Sequence, residues 1–503
     1  MNCDMTTMPP NPTVDHEPTG ELGDRAVQSV VTLGIREGAM KLVSFAGDIA
    51  LYRLLTPADF GVIIPVAFLA GIVKQFTDVG LHPSLIQRED EPDTTNLRAV
   101  FTVQLGLVAI ASTIVVLAGP LITTELIGIE ADPWMIRAFG ISILLSAFRL
   151  VPAALLERHL QFGRLALADI AGTLWYFGAG IGFAIGAYGI WALVIAHVGA
   201  SVASTLVVML SKPWLPLPSA RLAGLRPYLR FGAQFQGARL ALMVKDALVP
   251  LLAPRSVGTT ATGLLSWADK IASQPLTLTQ LVARVTLPAF ARIQDDPARV
   301  RRGAELTLKW NAIVTLPAFA SVIAFAPEIA IHIYGEQWLP AVPALYVLAA
   351  SAVLVPINGL LTPILTALGR TRQVMIIAIA WAIAAWGLAL ALGASGVGLL
   401  AIPIALGTTQ LLASMVLLPL ARDVFDFRLL QHLARPFVAA VVAGVLGRLV
   451  LLPLLTDAIL LVQGGLVVVL VYALLLHLID HDSTSREAVL IFRRRSAERS
   501  LDS

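Results

Sequence analysis

Phe45-Ala-Gly-Asp-Ile-Ala-Leu-Tyr-Arg-Leu-Leu-Thr-Pro-Ala-Asp-Phe-Gly61, followed after an apolar span by Thr77-Asp-Val-Gly-Leu-His-Pro-Ser-Leu-Ile-Gln-Arg-Glu-Asp-Glu-Pro92, is the stretch whose reading decides the fold. Two hydrophobic segments meet in it at a tight corner. Thr56 can cap the second segment, and Pro57 stands at the first helical position, where a missing N–H is harmless. Asp59 falls near N3, where a carboxylate faces the positive helix end. Both segments carry charges well inside their apolar runs. At bilayer depth such a charge costs roughly 2.5–3.5 kcal/mol, so by default it marks a function.

The rest of the chain says what solvent those segments sit in. Apolar residues make up 57% and charged residues 14% of the sequence, and the mean hydropathy is +0.79. A soluble core would need far more polar surface. The apolar runs are roughly 20 residues long and do not alternate, which predicts an all-α polytopic membrane protein rather than a barrel. The only cysteine, Cys3, precludes an intrachain disulfide or a cysteine-based metal site. Residues 1–27 are acidic and rich in Pro and Thr, with no basic n-region, and are expected to be a disordered tail.

Hydropathy draws about fourteen spans. They cover 27–55, 58–86, 97–118, 133–156, 165–187, 190–210, 229–253, 257–285, 308–333, 342–368, 374–392, 397–420, 437–452 and 458–478. Basic residues collect in every second loop, from Arg88 and Arg98 through Arg158, Arg164, Lys212, Arg301 and Arg370 to Arg493-Arg-Arg495. The alternate loops carry almost none, with Arg53 and Arg255 the exceptions. The positive-inside rule therefore puts both termini in the cytoplasm.

An internal repeat runs beneath this topology. Asp48 precedes Pro57 by nine residues and Gly61 by thirteen, while Asp246 precedes Pro254 by eight and Gly258 by twelve. His82-Pro to Pro92 is echoed by Leu287-Pro to Pro297 with equal proline spacing. Six spans separate the copies, which gives a parallel repeat about an axis along the membrane normal.

The intramembrane charges follow the same repeat. In the first span Glu37, Lys41, Ser44, Asp48 and Tyr52 share one helix face, with Arg36 beside them. Gly71, Lys74, Asp78 and His82 do so in the second span, and Gln236, Arg239 and Asp246 in the seventh, next to Gln234 and Lys245. In the eighth, Ser266, Lys270, Ser273, Thr277, Gln280 and Arg284 form a stripe flanked by Asp269, and the fourth span adds Arg149. Any one pair, such as Glu37–Lys41 or Lys74–Asp78, could merely staple helices together. Concentrated in repeat-related spans, the set instead predicts a wet cavity with a cationic tendency, suited to an anionic cargo such as a diphosphate. His197 and Arg448 read as packing or snorkelling residues, and Asn358, between Pro356 and Pro363, as a kink device. The sequence offers no clustered metal ligands, phosphate loop or catalytic triad in a suitable context.

Arg53-Leu-Leu-Thr-Pro-Ala-Asp-Phe-Gly61, Phe76-Thr-Asp-Val-Gly-Leu81 and Leu85-Ile-Gln-Arg88 resemble the start of polysaccharide transporter family proteins. These are the O-antigen and exopolysaccharide flippases of the multidrug/oligosaccharidyl-lipid/polysaccharide (MOP) exporter superfamily. Pro152 to Phe162 and Ala367-Leu-Gly-Arg-Thr-Arg372 extend the match. The resemblance implies two six-helix lobes at 28–212 and 223–421, joined by a cytoplasmic linker at 213–222. It adds an extra helix pair at 422–480 and a basic cytoplasmic tail at 481–503. It also implies alternating-access movement of undecaprenyl-diphosphate-linked oligosaccharide across a bacterial cytoplasmic membrane, without cofactor, metal or nucleic acid. The polymerase and glycosyltransferases of the same pathway are the candidate partners. Arg36, Lys41, Lys74, Arg149, Arg239, Lys245 and Lys270 are expected to hold the diphosphate or acidic sugars. Glu37, Asp48, Asp78, Asp246 and Asp269 are the candidates for ion coupling. The alternatives are an organic-cation antiporter, against which the cationic bias argues, a membrane glycosyltransferase, for which the loops are too short, and a non-transporting scaffold.

Overall fold

The structure, a computed structural model, describes residues 38–78, 85, 93–214, 217, 246–279, 297–367, 370–420 and 429–479 except 452 and 454. The expected tails at 1–27 and 481–503 and most of the linker at 213–222 lie outside these residues. All described regular structure is helical, as it must be where lipid offers the backbone no hydrogen bonds.

Residues 38–54 form α1, followed by α2 (Pro57–Asp78), α3 (Thr94–Leu121), α4 (Pro133–Arg158), α5 (Phe162–Ile185) and α6 (Ile190–Ser211). The second half holds α7 (Leu248–Val257), α8 (Thr259–Ser273), α9 (Pro297–Ala324), α10 (Val342–Ala352) and α11 (Val355–Ala367). It ends with α12 (Thr371–Ala394), α13 (Ala401–Leu420), α14 (Leu429–Leu451) and α15 (Ala458–Ile479). Among the described residues eleven helices are long and apolar enough to cross a membrane, and the protein is a multi-pass membrane protein. These eleven correspond to the expected spans two to six and nine to fourteen, while the first, seventh and eighth fall partly outside the described residues.

The chain divides into two compact units, Met1–Asp48 and Ile49–Ser503. In the first, residues 38–48 are helical, with Lys41 exposed and Asp48 half-buried. The second contains the bundle. Its lipid-facing surface is legible as exposed apolar stripes at helical spacing, such as Ile110, Ile114, Leu117 and Leu121 on α3.

Helix ends follow local chemistry. The Thr56 backbone N–H donates to Asp59 Oδ2 at 2.9 Å, and the Thr56 hydroxyl does so at 2.7 Å. The Asp59 N–H returns to Thr56 Oγ1 at 3.3 Å, which completes the predicted capping box. Asp132 caps α4 by accepting from the Trp134 N–H at 2.9 Å, with Pro133 at the first position. The tenth span is broken between Ala352 and Val355, because Pro356 has no N–H for the carbonyl one turn earlier. Asn358 is therefore not the kink device: its Oδ1 accepts from the Ser414 hydroxyl at 3.0 Å and ties α11 to α13. Arg448 likewise does more than snorkel. Its Nη1 donates to the Ala324 carbonyl at 2.5 Å and pairs with Glu328 at 3.3 Å, fastening α14 to the end of α9.

Two unusual segments mark the repeat. α3 runs into a π-helical turn at Ile122–Ile127 that ends on Gly128, φ 78°. Beyond α9, a π-helical turn at Ile329–Tyr334 ends on Gly335, φ 114°. Both glycine N–H groups bond to the residue five back, Thr123 and Ala330 respectively. At these φ values a side chain would be strained.

Candidate functional site

The two halves meet at the corners. Arg53, beside the α1–α2 corner, donates from Nε to the Ile333 carbonyl at 2.6 Å and from Nη2 to the His332 carbonyl. Arg255, beside the α7–α8 corner, donates from Nη1 to the Glu125 carbonyl at 2.5 Å and the Leu126 carbonyl at 3.4 Å. Each arginine thus reaches the fourth and fifth residues of the π turn in the other half. The ends of such turns expose unpaired carbonyls and a partial negative charge, which a guanidinium satisfies. The two exceptions to the charge rule are therefore one reciprocal latch.

The same symmetry fixes how α2 and α8 cross. A Cβ on Gly61 would lie 1.7 Å from the Thr259 carbonyl oxygen, and one on Gly263 would lie 1.8 Å from that of Pro57. Arg53, Pro57 and Gly61 thus correspond to Arg255, Thr259 and Gly263, a constant offset of 202 residues. This corrects the register read from the sequence, which paired Pro57 with Pro254 and Gly61 with Gly258. Asp48 and Asp246 are not equivalent in the new register, in which Asp48 falls opposite Pro250.

Over the crossing lies an aromatic plug. Tyr52 stacks on Phe60 at 4.2 Å and meets the edge geometry of Trp338 at 4.9 Å and Tyr334 at 5.7 Å. Trp267 stacks on Trp338 at 5.9 Å. Both tryptophans are fully buried. Trp338 Nε1 donates to the Tyr52 carbonyl at 2.9 Å, and Gln337 Nε2 donates to the carbonyls of Tyr52 at 2.9 Å and Leu55 at 3.0 Å. These are orphan carbonyls at the end of α1, capped by side chains of the other half. Lys270 sits with Nζ 5.2 Å from the centre of the Tyr52 ring, a cation–π distance.

A latch of this kind has a measurable strength. Arg53→Ala and Arg255→Ala are each expected to weaken closure of the corners by about 1–2 kcal/mol, the lower part of the range for charge-assisted bonds because both side chains are exposed. The two losses should be alike in size and add in the double variant. Polymer export in cells carrying the single and double variants checks this, and one inert arginine would remove the reciprocity.

A second site lies within the first half. A pocket of about 430 Å³ is bounded by α2, α3, α4 and α5, with Lys74, Gln75, Gln104, Arg149, Glu157 and Asp169 in its wall. Arg149 Nη2 pairs with Asp169 Oδ1 at 2.9 Å, and its Nη1 bonds to Ser204. Gln104 is 4% exposed, and its Oε1 has no hydrogen-bond partner among the described residues.

Of the expected site residues, the structure brings Lys74 and Arg149 together in this pocket and puts Lys270 beneath the plug. Asp246 and Asp269 are exposed. Arg36, Glu37, Arg239 and Lys245, and the side chain of Asp78, lie outside the described residues. The sequence did not single out Gln104 and Asp169, which stand on α3 and α5, Glu157, eight residues beyond Arg149 on α4, or the plug residues Trp267 and Trp338. His197 is the packing residue expected, with Nδ1 3.0 Å from the Leu193 carbonyl and its ring against Tyr176.

Two helical halves in contact through reciprocal bonds define a multi-pass helical membrane protein with an internal repeat. Residues 50–343 match the model of the family described as polysaccharide biosynthesis protein, and the chain belongs to that family. The motif resemblance pointed the same way. The chain is 24% identical over 352 residues to the lipopolysaccharide biosynthesis protein WzxC of Escherichia coli K12, covering 69% of each. It is 25% identical over 317 residues to the succinoglycan biosynthesis transport protein ExoT of Rhizobium meliloti, covering 62% of each. Its fold is similar to that of the lipid II flippase MurJ in an inward closed conformation, with TM-score 0.73 and 14% identity over 90% of this chain and 99% of that one. A similar fold occurs in an inward-facing multidrug resistance MATE family transporter of the MOP superfamily, with TM-score 0.60 and 17% identity over 76% of this chain and 94% of that one.

Proposed function

We propose that this protein moves a lipid-linked oligosaccharide of a surface-polysaccharide pathway across the bacterial cytoplasmic membrane by alternating access, and that it is a transporter rather than an enzyme. The observation that carries this reading is the reciprocal Arg53/Arg255 latch over the Gly61–Gly263 crossing. A closure made of two equivalent halves can open by rocking one lobe against the other. Family membership and the polysaccharide and lipid II roles that WzxC, ExoT and MurJ are named for support the cargo class.

With both termini cytoplasmic, the latched corners face the periplasm and the cargo loads from the cytoplasmic side. Lys74, Arg149 and Lys270 then serve as cationic contacts to the cargo, joined by Arg36, Lys41, Arg239 and Lys245, the set together holding its diphosphate or acidic sugars. Glu37, Asp48, Asp78, Asp246 and Asp269 are the carboxylates for ion coupling. The lobes are assigned to 28–212 and 223–421, with the extra pair at 422–480.

Deleting the protein is expected to stop polymer export and leave lipid-linked oligosaccharide on the cytoplasmic leaflet. Charge removal at both Lys74 and Lys270 should lower export at least tenfold with the protein still in the membrane. Undiminished export in the deletion strain would sink the reading. Drug resistance lost in that strain, with polymer intact, would favour the organic-cation antiporter.

A further inference from the structure

We infer that the pocket between α2, α3, α4 and α5 is a glycan subsite, which binds hydroxyl groups of the cargo's sugars rather than its diphosphate. The inference rests on the transport reading and assigns one part of the cargo to one part of the chain. The pocket's volume, about 430 Å³, lies within the range of small-molecule sites, roughly 300–1,000 Å³.

The wall decides what fits. It carries two cations, Lys74 and Arg149, two carboxylates, Glu157 and Asp169, and two amides, Gln75 and Gln104. A phosphate accepts hydrogen bonds and brings negative charge, so it suits a wall of donors and is repelled by carboxylates. Here the cationic and anionic side chains balance, and Arg149 is already paired with Asp169 at 2.9 Å. A sugar hydroxyl both donates and accepts, so a mixed wall of amides, carboxylates and cations matches it.

Gln104 sharpens the choice. Its side chain is almost wholly buried, faces the pocket, and has an Oε1 that accepts from no group among the described residues. A buried acceptor without a donor is costly unless a partner supplies one. A ligand hydroxyl can supply it, whereas an ionised phosphate cannot.

The depth is suitable for loading. Lys74 stands seventeen residues along α2 from Pro57, about 25 Å from the latched corner at 1.5 Å per residue. The pocket therefore lies toward the end of the bundle away from the closure.

The test uses the full chain in lipid nanodiscs and two probes: lipid-linked oligosaccharide purified from the producing bacterium, and bare undecaprenyl diphosphate. Gln104→Leu removes the acceptor at similar volume, and Gln104→Met controls for side-chain branching. Both variants are expected to bind the glycosylated lipid about tenfold more weakly, the change that one hydrogen bond of this kind supplies. Binding of bare undecaprenyl diphosphate should stay within about twofold of wild type. Removing a buried acceptor that no described group meets should leave thermal unfolding of the free protein unchanged or raised. Equal weakening for both probes would make this a diphosphate site and overturn the inference, as would no weakening for either. Failure of the wild type to bind either probe would overturn the transport reading itself, and this inference with it.

Discussion

Gly61→Ala and Gly263→Ala are each expected to cut polymer export by a factor of ten to a hundred while the protein remains in the membrane. At both positions the atom that a methyl group would meet is a backbone carbonyl oxygen, at 1.7 Å and 1.8 Å. No rotamer change relieves such a clash. Carbon–oxygen contacts need about 3.3 Å or more, so α2 and α8 would have to part at the level of the latch. Overpacking of a close interface typically costs about 1–3 kcal/mol, and each 1.4 kcal/mol shifts an equilibrium tenfold. The loss falls on the corner-closed arrangement, so the protein should spend more of its time with the corners apart. Spin labels on the exposed residues Leu54 and Leu339, in a chain whose sole cysteine Cys3 is replaced by serine, should report a longer distance in either variant. A wild-type distance together with wild-type export would show that the crossing is not required to be so close.

The reason those glycines escaped a reading of the sequence is instructive. The Thr56–Asp59 capping box is local, three residues apart, so its bonds could be written down in advance. The helices were legible because hydropathy is a property of each segment alone. The repeat was visible too, but Pro254 and Gly258 were the wrong landmarks in a chain rich in alanine and leucine. The atoms that carry the symmetry are backbone carbonyls of π-helical turns, and no residue type announces those. Arg53 and Arg255 did stand out as charges on the wrong side, yet their partners lie 279 and 130 positions away respectively. The pocket was half legible in the same sense. Lys74 and Arg149 drew notice as isolated cations in apolar runs, whereas Gln104 and Asp169 became their neighbours only through packing of α3 and α5 against α2 and α4. Tryptophan in an apolar run suggests core or membrane interface equally, so neither Trp267 nor Trp338 could be singled out as a plug.

Trp338 should prove the most sensitive side chain in that plug. Removing a buried tryptophan costs about 3–5 kcal/mol, and Trp338 is wholly buried against Tyr52, Phe60 and Trp267. It also satisfies the Tyr52 carbonyl at the end of α1. The contacts with Tyr52 and Phe60 join the two halves and exist only while the corners are together, whereas the Trp267 contact lies within the second half, so the larger part of the Trp338→Ala penalty bears on the closed state. A loss of roughly 3–4 kcal/mol would move the closed-to-open ratio by two to three decades, with export expected to fall in proportion. Trp338→Phe keeps most of the ring packing and gives up one N–H···O bond, about 1 kcal/mol, so its export should fall only about fivefold. The graded order, wild type above phenylalanine above alanine, separates a closure from a simple packing site when read beside the Leu54–Leu339 label distance. A closure lengthens that distance in the same order. A packing site instead lowers the amount of folded protein and leaves the distance of the surviving molecules unchanged.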